Sequence, residues 1–274
     1  MLSKRIIFGI EFNSRSTRPE WKIGLTAGWI KYRMNVFMTY TMKCLKKQTN
    51  QDFVALIQYA DRTKPLIKLE LSKYEPLSKN IQFVPASKYQ ENIMKLITGF
   101  DHLYLVRLDC DDMYHNSIVQ QLTDYRPKSN TQALINQRGY VYDAVRQRFA
   151  AINQQSPPFY TLIYKVDEYA KGKRYSTPRG HRAVIKLKHE SLTREGNRNY
   201  MIVVHKRNTL NQNLLRKAIF KTNRVKLDHI LGDFCKEIKE ELEQKLNPQI
   251  ITSEEIDYSE SSSTKKMKIM NVFL

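Results

Sequence analysis

The sequence predicts an α/β fold, and three observations predict it. Short, nearly continuous apolar runs recur along the chain, as strands covered on both faces require. Between the first two of them lies a stretch whose apolar residues fall three and four apart. An acidic cluster, Asp109-Cys110-Asp111-Asp112, then follows directly on the apolar run Leu103 to Leu108, so the acids emerge at the carboxyl end of a strand, where open α/β sheets bind their ligands.

Ile6 to Phe12 reads as a buried first strand that ends in the polar loop Asn13-Ser14-Arg15-Ser16. From Tyr32 to Lys47, Met34, Phe37, Met38, Thr41 and Leu45 form one helical stripe while Lys43, Lys46 and Lys47 face solvent. Phe53 to Ile57 is a second strand ending near Asp61, which makes a βαβ unit. Asn80 to Pro85 is a further strand and Tyr89 to Phe100 a helix closed near Gly99. Beyond the acidic cluster, Ala133 to Asn136 and Tyr140 to Tyr142 are strands split by Gly139. Ser156-Pro157-Pro158 breaks the chain before a strand at Phe159 to Val166, and Tyr200 to His205 is another. Leu214 to Leu246 is helical, with Leu227, Ile230, Leu231, Phe234, Ile238 and Leu242 on one stripe and Pro248 as its stop. The expected layout is one main domain over residues 1–212, a helical appendage over 213–248, and an acidic, Ser-rich linker with a basic apolar tail over 249–274.

Composition narrows the partners. A formal charge of +19 calls for an anion: nucleic acid, an anionic membrane face, an acidic glycan or a nucleoside diphosphate. No apolar run approaches the ~20 residues that span a bilayer. Met1 to Arg5 leads straight into Ile6 to Ile10, too short a stretch for a signal peptide, so the cytoplasm is the expected place. Cys44, Cys110 and Cys235 lie far apart with no CxxC pairing, which argues for reduced thiols rather than a disulfide framework or zinc knuckle.

In an extended segment Asp109 and Asp111 point the same way and can share a cation, while Asp112 turns aside. Oxygen donors select Mg²⁺ or Mn²⁺ over zinc, and a cation held there bridges the phosphates of a nucleotide-sugar and offsets the charge of a leaving diphosphate. The plainer alternative is a solvated turn of capping acids. His205, at the end of an apolar strand, can complete the metal shell or touch the diphosphate; equally, its ring can be satisfied by backbone.

The run Arg107-Leu108-Asp109-Cys110-Asp111-Asp112 resembles the DxD element of GT-A-fold glycosyltransferases, and more closely that of the putative rhamnosyltransferase family. Arg33 to Phe53, Gly139 to Tyr142, Pro158 to Ile163, Gly180-His181 and Val203 to Asn208 resemble further elements of that family in the same order, over about residues 5 to 215. The resemblance implies a GT-A-like (Rossmann-like) nucleotide-sugar-binding fold with a mixed sheet and a helical appendage, and a metal-dependent transferase that moves rhamnose or another hexose to a glycan. Two positions depart from the family's pattern. Lys206 stands where a glycine usually follows the histidine, and Tyr164 stands where relatives place an acid.

Metal ligands are expected at Asp109, Asp111 and His205, and nucleotide-sugar contacts at Phe12, Asn13, Arg15, Asp61, Arg107, Asp109 and His181. An inverting reaction also needs a base, for which Asp167 and Glu168, just after an apolar strand, are the candidates and Asp143 the reserve. The expected partners are the donor and a glycan or other anionic acceptor, with no nucleic acid; Lys265 to Leu274 either meets an anionic membrane face or packs as a last strand or helix on its own domain or on a partner subunit. The alternative is a basic nucleic-acid-binding protein or metal-dependent nuclease, with 16 tyrosines and 11 phenylalanines available for stacking; a second acidic cluster beside an apolar strand and the usual nucleic-acid signatures are missing. A third reading, a non-catalytic peripheral membrane protein, rests on the tail alone.

Overall fold

The computed structural model describes residues 3–14, 19–177, 180–192, 198–208, 214–215, 218–220 and 224–235. Its eleven strands are β1 (Lys4–Glu11), β2 (Val54–Tyr59), β3 (Ile81–Pro85), β4 (His102–Asp109), β5 (Met113–Tyr114), β6 (Ala133–Ile135), β7 (Arg138–Asp143), β8 (Arg148–Asn153), β9 (Tyr160–Lys165), β10 (His189–Ser191) and β11 (Tyr200–Val204). The helices are α1 (Ala27–Thr39), α2 (Thr41–Lys46), α3 (Lys64–Leu71), α4 (Tyr89–Ile97), α5 (Ile118–Asp124), α6 (Val166–Ala170) and α7 (Arg224–Cys235).

The main sheet has seven strands in the order β10-β6-β9-β4-β1-β2-β3. β4 is the middle strand, and β1 beside it runs parallel to both β2 and β4. The side chains of β1 alternate between two cores, as the period of a strand buried on both faces demands: Ile6, Phe8 and Ile10 join the larger cluster while Ile7 joins the cluster on the other face. A second sheet, β5-β11-β7-β8, packs into the larger cluster through Tyr142, Phe149, Tyr200 and Val203.

The expected long helix from Tyr32 to Lys47 is two helices. Tyr40, at φ −111° and ψ −71°, separates α1 from α2. Thr26 caps the first by accepting from the Trp29 N–H. Gly139 does not split two strands either; it lies inside β7, opposite Tyr200 of β11. The Tyr200 ring lies flat against its backbone and stacks on Phe159, with ring centroids 4.1 Å apart and planes 13° from parallel. Only a residue without Cβ lets the ring come so close.

Strand β8, the short strands β5 and β10, and helices α3, α5 and α6 have no counterpart among the expected elements. On α7, Leu227, Ile230, Leu231 and Phe234 bury the predicted stripe against the main core. The rest of that stripe, Ile238 and Leu242, and the whole tail from 249 to 274 lie outside the described residues, as does Arg15. Among the described residues no helix is long and apolar enough to cross a membrane.

Gly139→Ala should cost roughly 1–3 kcal/mol, because a methyl group there lands inside the Tyr200 ring and forces the Tyr200–Phe159 stack apart. Thermal unfolding checks this: a melting temperature equal to wild type would show that the ring is free to move.

Candidate active site

β4 delivers Asp109 to the carboxyl edge of the main sheet, but the chain does not stay extended beyond it. The Asp112 N–H donates to the Asp109 carbonyl at 3.2 Å, so residues 109 to 112 form a turn, and the alternation that would aim Asp109 and Asp111 together does not apply. Each carboxylate finds a different partner. Arg107 Nη2 contacts both Asp109 oxygens, at 3.0 and 3.3 Å. Arg33, from α1, donates Nη1 to Asp111 Oδ2 at 3.0 Å and Nε to Cys110 Sγ at 3.0 Å. Asp112 turns into the protein, where its Oδ1 accepts the Val203 N–H at 3.0 Å and its carbonyl accepts the Thr41 hydroxyl at 2.8 Å.

The Asp112 contact explains why His205 arrives here. β5, one residue past the acids, pairs antiparallel with β11 through Met113↔Met201 and Tyr114↔Tyr200. β11 therefore ends beside the turn, and His205 Nε2 lies 3.3 Å from Asp111 Oδ2 across 94 residues of sequence. Its Nδ1 meets the Tyr32 hydroxyl at 2.8 Å. The Arg207 guanidinium covers the Tyr32 ring at 4.6 Å from its centroid.

Three carboxylates in four residues repel one another, and burial adds to the cost of their charge. Burial and the neighbouring Asp111 push Asp109 above the usual carboxylate range, although Arg107 works against both. Asp112 is driven well up by burial and by Asp111 and Asp109. Asp111 goes the other way: burial opposes its charge, but Arg33 and His205 hold its pKa below the ordinary value. Burial likewise works against the Arg33 charge, yet the adjoining Cys110 and Asp111 raise its pKa overall. Burial pushes the Cys110 thiol up to about 12, so it stays protonated.

The other expected residues fall into three groups. His181, in the 3-10 turn Gly180–Lys186, is at the site edge; burial, with Arg107 and Arg182 nearby, lowers its pKa to about 4. Asp61 follows β2 at the same edge, where its carboxylate accepts from the Ser87 N–H and hydroxyl and is lowered chiefly by that hydroxyl. Phe12 and Asn13 serve as framework. Phe12 packs edge-on between Trp29 and Phe83, and Asn13 ties the ends of β1 and β2 together by donating to Gly24 O and Thr63 Oγ1 and accepting from Ala60 N.

Asp167 and Glu168 are at the wrong end of the sheet. β9 runs antiparallel to β4, with Lys165 beside His102, so residues following β9 emerge at the amino edge of β4, roughly 20 Å from Asp109 at ~3.3 Å per residue. Glu168 is paired there with Lys173 at 2.6 Å. Asp143 ends β7 next to Val204, but its carboxylate is held by Arg148 at 3.0 Å and by the Val145 and Arg146 N–H groups.

Arg33 and its neighbour Tyr32 are site residues that the sequence reading missed, and Arg33 is the one that pairs directly with the acids. A signal existed: residue 33 is three past Ile30 and four before Phe37, both fully buried, so a charged side chain shares the inward stripe of α1 and must find an anion.

The family model for putative rhamnosyl transferases matches residues 13–217, three quarters of the chain. The chain belongs to this family. Its members are glycosyltransferases, and this chain carries a mixed sheet with an acidic turn after β4. No curated protein matches the sequence. Among solved structures, a cytidylyltransferase from Leptospira borgpetersenii is similar at 15% identity, covering 92% of this chain and 100% of that one with a TM-score of 0.38. A putative nucleotide-diphospho-sugar transferase from Desulfovibrio desulfuricans G20 is similar at 13% identity, covering 89% and 96% with a TM-score of 0.37. TarS 1–349 from S. aureus in complex with UDP is similar at 10% identity, covering 84% and 70% with a TM-score of 0.35. These are loose likenesses; the family match carries the assignment, and neither it nor the described residues supports the nuclease alternative.

His181 yields a pH prediction for this rhamnosyl transferase family member. With its pKa lowered from 6.5 to about 4, the ring is neutral in the folded protein while the unfolded chain takes up a proton, so this group withdraws stability as pH falls from about 6.5 toward 4. In an NMR titration of the histidine rings, His181 should show no inflection above pH 5. An inflection near 6.5 would mean that the ring is hydrated and away from Arg107.

Proposed function

We propose that the protein transfers a sugar from a nucleotide-sugar donor to a glycan acceptor at the edge formed by Asp109, Asp111 and His205, with Mn²⁺ or Mg²⁺ as cofactor and inversion at the anomeric carbon. The observation that carries this reading is the meeting of Asp111 Oδ2 and His205 Nε2, 3.3 Å apart, beside the strand end where α/β sheets bind their ligands.

The donor set fits such an ion. An oxygen and a nitrogen 3.3 Å apart are spaced as neighbouring ligands of a cation with bonds of about 2.1 Å. Among the described residues no group of three His, Cys, Asp or Glu side chains is gathered to hold a metal unaided. The remaining positions suit donor phosphates and water, the usual habit of Mg²⁺ sites. When bound, the ion offsets the charge that develops on the departing diphosphate.

The chain's own residues prepare that step. To offer its Nε2 lone pair, His205 must keep its proton on Nδ1, and the Tyr32 oxygen 2.8 Å away is there to accept it. Arg107, covering the Tyr160 ring at 5.9 Å and paired with Asp109, brings a fixed positive charge to the same edge for a phosphate. Neutral His181 can donate to a donor or acceptor oxygen without adding charge. The base for inversion is to be sought at this edge, away from Asp167 and Glu168.

The family's description points to rhamnose, or another hexose, as the sugar. The +19 charge favours an anionic acceptor, by long-range attraction rather than by any one contact. We read residues 1–212 as the transferase domain, 213–248 as a C-terminal appendage that is helical over Arg224–Cys235, and Lys265 to Leu274 as a segment that holds a cytoplasmic enzyme to an anionic membrane face.

Asp111→Asn should abolish the metal-dependent part of nucleoside diphosphate binding in calorimetry, and unchanged affinity would remove the reading. His205→Ala should lower turnover by roughly 10 to 100-fold with little change in melting temperature. A destabilised but fully active His205→Ala protein would make the histidine a packing residue.

A further inference from the structure

Arg33 occupies a position that a spectator charge would not need. Its Nη1 is 3.0 Å from Asp111 Oδ2 and 3.4 Å from His205 Nε2, and those two atoms are themselves 3.3 Å apart, so one guanidinium nitrogen faces both atoms proposed above as metal donors. Its Nε is engaged by Cys110 Sγ at 3.0 Å, and its guanidinium carbon is 5.8 Å from the centroid of the Trp29 ring. The side chain is thus directed by the acidic turn on one side and an aromatic face on the other. It comes from a helix separate from the strands that bring its anions.

We propose that Arg33 is an internal counter-cation of the metal site, which a divalent ion displaces and which then turns to the phosphates of the donor. The proposal rests on the reading of Asp111 and His205 as metal donors. Two positive charges cannot share Asp111 and His205 at such distances without strong repulsion, so the ion and the guanidinium compete. A competing group with no second anion to go to weakens the ion's hold. A nucleoside diphosphate supplies that anion, and its planar, bidentate match to a guanidinium makes the transfer favourable. Metal and donor then bind cooperatively, and the coupling is carried by Arg33.

The test measures metal binding and side-chain movement rather than turnover. Free Mn²⁺ is titrated by electron paramagnetic resonance against wild type, Arg33→Gln, Arg33→Lys and Asp111→Asn, each alone and with UDP, dTDP or GDP. Arg33→Gln should bind Mn²⁺ alone about tenfold more tightly than wild type and should show a smaller further gain with the nucleotide, within the 5 to 150-fold range usual for coupled sites. Arg33→Lys keeps the charge but loses the fork, so it should gain less; it decides the matter if the glutamine variant does not fold. In a Trp21→Phe background Trp29 is the only tryptophan, and Mg²⁺ should change its emission when Arg33 is present and leave it unchanged in Arg33→Gln.

If Asp111→Asn loses Mn²⁺ while both Arg33 variants bind it as wild type does and Trp29 is silent, the ion sits at Asp111 without displacing Arg33 and the proposal is overturned. If Asp111→Asn binds Mn²⁺ as wild type does, the metal site itself has been misplaced and the proposed function fails with it.

Discussion

The protein confines three carboxylates to a four-residue turn at the end of a central strand, and much of its architecture answers the resulting repulsion. Arg107 takes Asp109, Arg33 and His205 take Asp111, and a backbone N–H from β11 takes Asp112. The partners come from three places: β4 itself, α1, and β11 with the residue that follows it. α1, the second sheet and β4 itself are therefore tied to one point.

Much of this was legible in the sequence, for identifiable reasons. The strand at Leu103 to Leu108 and the acids after it could be read because an apolar run interrupted only by Arg107 needs cover on both faces, and the cluster of acids marks its exit. His205 could be read in the same way from the run Tyr200 to Val204. The hydrophobic stripe of α7 also held over the described residues, since its four large apolar residues all reach the core.

What was illegible depends on direction and on distant partners. A strand's periodicity is the same in either direction, so nothing in Tyr160 to Lys165 announces that it runs against β4, and Asp167 and Glu168 looked close to a site that lies at the other edge. The turn at 109–112 was hidden because two alternate aspartates look the same in an extended segment and in a bend. Gly139 looked like a breaker because its reason for being glycine is the ring of Tyr200, 61 residues later in the numbering. Arg33 was passed over as one more base in a basic chain, when its position on an apolar stripe set it apart from the solvent-facing lysines of the next turns.

The reversed direction of β9 also bears on how such a protein could diversify. At most strands of the main sheet the site edge is reached by a segment that leaves the strand; at β9 it is reached by one that enters, the stretch Gln154 to Phe159 with its two prolines. Insertions or deletions there would reshape the rim of the site beside Arg107 and Tyr160 while the strand pairing of β9 with β4 and β6 stayed intact. The segment after β9, on the far edge, could vary in length and composition without being felt by the acids at all. Lineages acquiring new acceptors would then be expected to record the change in the entry segment, and to let the exit segment drift.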